Sequence, residues 1–257
     1  MQHFLQARRS NPHMGFDDRH AGRILTRRKV LALLGTGGAA LLSGHASRGG
    51  AAALKGDAPR MCVATPEQTE GPYYVEARLN RSDIRSDPLD GERREGVPLA
   101  LALRVLTVEK ISCLPLAGAM VDLWQCDAAG LYSDVRDPRF STVGKRFLRG
   151  YQLTDADGRV RFTTIYPGWY PGRAVHIHFK VRVKGESRGF GFTSQLYFDD
   201  ALTDRIHARA PYAARGGNRT RNHEDGIYRR GGRDLLCAVA ETPQGLAGSF
   251  DIGLKLG

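Results

Sequence analysis

The sequence predicts an all-β protein: an antiparallel β-sandwich with long connecting loops, preceded by an N-terminal signal segment. Three observations carry that expectation. Val175–Val183 alternates strictly, with Val175, Ile177, Phe179, Val181 and Val183 on one face and His176, His178, Lys180 and Arg182 on the other, which is the period of a strand. Other short apolar or alternating runs, about eight strands in all, are separated by turn residues. The 257 residues include 31 Gly and 12 Pro, and 41% are hydrophobic. That supplies many turns and a substantial core.

The first element reads as an address. Arg27–Arg28, flanked by Thr26, Lys29 and Val30, precede an apolar run from Val30 to Leu42. The run is too short to span a bilayer but suits a signal h-region, and Gly44 and Ala46 supply small residues for cleavage. This resembles a twin-arginine export signal, so a periplasmic or extracellular location is expected. Signal and linker take residues 1–53, and the sandwich domain takes 54–257. Residues 1–50 carry eight Lys/Arg against Asp17 and Asp18, which is +6 of the chain's formal +11. The remainder is mildly basic. It lacks the basic–aromatic interleaving of a nucleic-acid binder, and no second stretch is long enough for a stable membrane span.

The strands follow in order. Val97–Leu106 is strongly apolar, and Pro98 suits its first residues. Ala117–Cys126 sets Val121, Leu123 and Gln125 against Asp122 and Trp124. Phe147–Thr154 and Arg159–Ile165 flank the turn Asp155-Ala156-Asp157-Gly158. Val175–Val183, Thr193–Phe198, Leu235–Glu241 and Ser249–Lys255 complete the set. Residues 200–233, rich in Arg, Gly and Asn, read as a long excursion with a helical turn or two near Leu202–Arg209. In an oxidising compartment Cys62, Cys113, Cys126 and Cys237 allow two bridges in three connectivities, or a buried free thiol at Cys126.

The chemistry concentrates in YPGWYPGRAVHIHF, Tyr166–Phe179. His176 and His178 share the face opposite the core, towards a cleft or solvent. Tyr170 and Arg173 lie just upstream in a Pro/Gly-rich turn, and Tyr132 follows the Trp124–Cys126 strand after a turn at Asp127 and Gly130. A phenol titrates near pH 10 and binds strongly only as phenolate, which needs a hard, highly charged cation. Zinc favours His, Cys or carboxylate, and ferrous oxygenases favour two His and one carboxylate. Two phenolates with two neutral imidazoles match Fe³⁺.

GWYPGRAVHIHF, GAMVDLWQCDAAGLYSDV, TPEQTEGPYY, FLRGYQLTDADG and TSQLYF together resemble the intradiol ring-cleavage dioxygenases, of the catechol and protocatechuate 3,4-dioxygenase type, from about Thr65 to Phe198. The resemblance implies one Fe(III) per chain, held by Tyr132, Tyr170, His176 and His178. It also implies a catechol-type diol and O₂ as reactants, and opening between the two hydroxylated carbons to a cis,cis-muconate-type diacid. Tyr170, which follows its Pro-Gly pair, matches the family ligand, whereas Tyr166 precedes one. Arg173 matches a charge-stabilising arginine, and Gln195 a glutamine near the substrate. Tyr73, Tyr74 and Tyr151 read as packing or pocket wall. The N-terminal helical segment of the catechol branch looks absent, all four ligands lie on one chain, and a homo-oligomer is compatible with the sequence. Two other readings compete. One is a secreted β-sandwich binding module without turnover. The other is a Zn²⁺ or Cu²⁺ site on the His pair, with Asp122 or Asp134 as the only nearby carboxylates.

Overall fold

The computed structural model describes residues 63–109, 112–138, 140–184 and 189–256. The signal and linker reading of residues 1–53, and Cys62, lie outside the described residues. Strands β1 (Pro98–Val108), β2 (Cys113–Pro115), β7 (Arg159–Ile165), β10 (Ala238–Thr242) and β11 (Gly245–Leu254) form one sheet. Strands β3 (Met120–Trp124), β6 (Arg149–Leu153), β8 (His176–Val183) and β9 (Phe190–Tyr197) form a second, in the order β6-β3-β8-β9. A small hairpin, β4 (Arg136–Asp137) with β5 (Phe140–Ser141), stands apart.

The core lies between the two sheets. Leu99, Leu101, Leu103 and Val105 alternate inward from β1 and meet Val121, Leu123, Ile177, Phe179 and Val181. Burying each such side chain stabilises by roughly 1.5–3 kcal/mol. The sandwich is as expected, with one difference in pairing: β1 and β11 run parallel, from Leu99↔Leu246 to Thr107↔Leu254. Alternation fixes which face of a strand is buried but not its direction, so the sequence pattern could not show this. The hairpin β4–β5 and the three-residue β2 are too short to carry a period and were not expected from it.

The excursion from residue 200 contains helix α1 (Asp200–His207). It is N-capped by Asp199, whose side chain accepts from the Leu202 amide. Single 3-10 turns follow at Tyr212–Arg215 and Gly232–Leu235. Among the described residues no helix is long and apolar enough to cross a membrane. Cys113 is disulfide-bonded, while Cys126 and Cys237 are free and buried.

Candidate metal centre

The outer face of the second sheet builds the site. Register places Trp124 opposite His178 on one side and Gln195 opposite His178 on the other, with Tyr197 opposite His176. Directly opposed residues share a face, so these side chains form a cluster. The His pair does not face solvent: His176 is 2% and His178 1% exposed. Residues 66–74 cover this face, anchored by Gln68 N to Thr193 O (3.0 Å) and by Gln195 Nε2 to Thr69 O (2.9 Å). Gly71, at φ +71°, passes close enough that a Cβ would sit 3.4 Å from His178 Cε1.

The two tyrosine-bearing turns meet through glycines. Asp127 Oδ1 accepts from the Ala129 and Leu131 amides (both 2.9 Å), closing the turn before Tyr132. Gly130, at φ +80°, leaves room for Trp169 O, which a Cβ would meet at 2.1 Å. Gly168 donates to Asp127 O at 3.2 Å. Gly130→Ala is therefore expected to cost about 2–4 kcal/mol, from overpacking and left-handed backbone together. Urea denaturation measures it, and an unchanged midpoint would remove this account of how the turns are held.

Four donors converge. His176 Nε2 lies 3.0 Å from His178 Nε2 and 3.2 Å from Tyr170 Oη. His176 Nδ1 donates to Ala174 O at 2.6 Å, leaving the Nε2 lone pair free for a cation. His178 Nδ1 lacks such a partner, and its ring is held by stacking on Trp124 (4.9 Å, 7°). The Tyr132 ring sits 5.7 Å from that of Tyr170 and 6.2 Å from that of His178. Tyr132 Oη is buried and makes no hydrogen bond of good geometry, with the Tyr170 hydroxyl as its perturbing neighbour, which leaves it short of a partner unless a cation binds it.

Burial pushes the Tyr132 phenol well above its ordinary value, with the Tyr170 hydroxyl adding to it. Burial also raises Tyr170 against the opposing charge of Arg173. Burial, reinforced by Arg173, lowers His176 to about 3, and burial with His176 lowers His178. Without a cation all four groups are neutral, and a hard cation reverses the preference of the phenols. In the metal-free protein the imidazoles stay neutral while those of the unfolded chain protonate below about pH 6.5. The unfolded state then binds more protons, so stability falls as pH drops from about 6.5 towards 3. Tm against pH on metal-free protein checks this, and a flat profile across that window would contradict it.

The donor set fits ferric iron. Among the described residues no three His, Cys, Asp or Glu side chains come together, so a zinc-type set has no third donor. Asp122 is paired with Arg182, and Asp134 accepts from the Gly144 amide (2.9 Å). Tyr166 points into the core, 2.7 Å from Thr203 Oγ1. Tyr73 stacks on Tyr132 (4.7 Å) and Tyr74 packs on Trp124 (4.9 Å), forming the wall. Tyr151 lies one row away, opposite Asp122.

Arg173 and Gln195 join the same cluster. Arg173 Nη1 is 3.5 Å from Tyr170 Oη, and its Nη2 donates to Gln195 Oε1 and to Tyr197 Oη (3.3 Å). Sequence reasoning missed Asp225, which lies in the excursion. Its Oδ2 accepts from Arg173 Nε (3.0 Å) and the Ala174 amide (2.9 Å), and its Oδ1 from the Ile227 amide (2.7 Å). Burial opposes the Asp225 carboxylate, but the Arg173 charge and these amides hold it below the usual range. Its only sequence signal is an acid within an arginine-rich loop. Tyr197 Oη, 2.9 Å from Gln68 Oε1, was also missed.

A family model described as Dioxygenase matches residues 69–216. The chain is 38% identical over 112 residues to the protocatechuate 3,4-dioxygenase beta chain of Burkholderia cepacia, covering 39% of this chain and 47% of that protein. It is 28% identical over 165 residues to a chlorocatechol 1,2-dioxygenase of Pseudomonas putida, covering 57% and 58%. The chain thus spans about half the length of these curated relatives. A solved intradiol ring-cleavage dioxygenase from Tetranychus urticae superposes with TM-score 0.65 at 32% identity, over 76% of this chain and 95% of that one. The dioxygenase domain of a carbohydrate-binding fusion from Streptomyces sp. SirexAA-E gives 0.54 at 30% identity, over 76% and 100%.

Proposed function

This chain belongs to the intradiol ring-cleavage dioxygenase family, and from that premise we propose that it opens a catechol-type ring with O₂ between the two hydroxylated carbons. Both oxygen atoms enter the product, a cis,cis-muconate-type diacid. One Fe(III) per chain would be held by Tyr132, Tyr170, His176 and His178. The carrying observation is the convergence of two phenols and two imidazoles, with Tyr132 Oη otherwise unpaired.

Bound ferric iron would supply Lewis acidity, drawing electron density from the ring oxygens. Tyr170 is the less buried phenol and sits on a Pro-Gly turn, so it is the donor able to swing aside and accept a proton from the diol. Arg173 stays cationic and is braced by Asp225 and Gln195. It offers its Nη atoms to negative charge developing on the substrate. Residues 69–74 and Trp124 exclude water from the imidazoles. Gln195 ties that cover to Arg173.

Oxygen uptake on catechol, protocatechuate, chlorocatechol and hydroxyquinol, with product identification, tests the reading. The expected result is a diacid cut between the hydroxylated carbons, from a protein coloured by phenolate-to-iron charge transfer. A colourless iron-loaded protein, or an extradiol product, would overturn it. We also assign residues 1–53 to twin-arginine export. Lys at both Arg27 and Arg28 should retain a fused reporter in the cytoplasm, and unchanged export would refute the assignment.

A further inference from the structure

Arg149 is 2% exposed, and burying a guanidinium is costly unless something repays its charge. Its hydrogen bonds go to carbonyls and a hydroxyl, not to a carboxylate. Nε reaches Ser133 Oγ (2.9 Å) and Ser133 O (3.1 Å), while Nη2 reaches Ser133 O (2.6 Å) and Tyr73 O (2.8 Å). Nη1 is buried and has no partner.

Its position in the sheet is equally specific. Arg149 is paired with Trp124, Trp124 with His178, and His178 with Gln195. One row across all four strands therefore runs Arg149, Trp124, His178, Gln195, with every side chain on the site face. The fork at the β6 end of that row grips the residue after Tyr132 and the backbone of Tyr73, which stacks on Tyr132.

We propose that Arg149 is a positioning residue for the metal centre, fixing the Tyr132 turn and its Tyr73 cover as one unit and placing a positive charge beside that turn. This rests on the ferric reading above. The geometry explains why a planar fork is used: two neighbouring carbonyls and a hydroxyl need several donors in fixed directions, which a lysine cannot supply. It also accounts for a buried cation with no acid bonded to it. The anionic donors of a loaded site would add to the nearby Asp134 carboxylate in balancing it.

The test uses Arg149→Met, which keeps the volume, and Arg149→Lys, which keeps the charge but loses the fork. Iron(III) affinity by chelator competition, the visible charge-transfer band and metal-free Tm are measured on each. Arg149→Met should bind iron about 10–100-fold more weakly, as loss of an outer partner of a metal ligand does. Its band should move to longer wavelength, because removing positive charge beside a phenolate raises the donor level. Arg149→Lys should recover part of the band position. A lowered Tm with unchanged affinity and band would overturn the proposal, leaving only a structural role. If Arg149→Met does not fold, an unchanged iron affinity in Arg149→Lys would overturn it equally, because the fork is lost while the charge remains. A wild-type protein that binds no ferric iron would fail the ferric reading itself, a result distinct from failure at Arg149.

Discussion

Replacing Tyr132 with Phe is expected to reduce ring opening more than about 100-fold, beyond the loss that follows removal of an outer partner of a metal ligand. It should also remove most of the visible band. The phenol is fully buried and otherwise unpaired, so the change deletes one oxygen and leaves the ring stacked on Tyr73. In the metal-free protein the variant should be no less stable than wild type, because an unsatisfied buried hydroxyl is removed. That opposite pair of outcomes, a functional loss without a folding loss, separates a ligand from a packing residue. Tyr170→Phe should also shift the band, with a larger effect on turnover relative to iron retention, because this phenol is the one assigned to proton uptake. A full visible spectrum and intact turnover in either variant would show the ligand assignment to be wrong.

Arg173→Met is expected to lower kcat by about 10²–10³, the range for deleting one donor aimed at developing charge, with iron and its colour retained. Arg173 touches Tyr170 Oη but is not itself a donor to the metal, which is why colour and turnover should separate. Asp225→Asn should give a smaller fall in the same parameter, because Asn keeps an acceptor for the guanidinium but loses the charge. The cost of Asp225→Ala to stability should be larger, up to about 3 kcal/mol, since it removes the acid that pairs with a partly buried cation. If KM rises while kcat holds in Arg173→Met, the residue binds substrate without stabilising charge in the reaction.

The site was legible where its residues are close in sequence. His176 and His178 declare themselves by the period of a strand, and Arg173 and Tyr170 by the turn before it. Tyr132 lies some 40 residues away. The motif around it resembles a known family, but nothing in its own spacing places it beside the pair. Gln195 and Trp124 reach His178 only through strand pairing. Asp225 comes from a segment whose composition reads as loop, and an acid beside Glu224 among several arginines ordinarily means a surface ion pair.

The sequence alone determined the alternation that sorts core from site face, the turns that separate the strands and the kinds of atom available to a metal, because these depend on neighbours a few residues apart. Tertiary structure decided the rest: the parallel pairing of β1 with β11, the sealing of the imidazoles beneath residues 66–74, and the buried Arg149 and partly buried Arg173, each braced by distant partners. Strand direction, cover and charge balance are set by contacts between segments far apart in the chain, and a local pattern carries no information about which distant segment arrives.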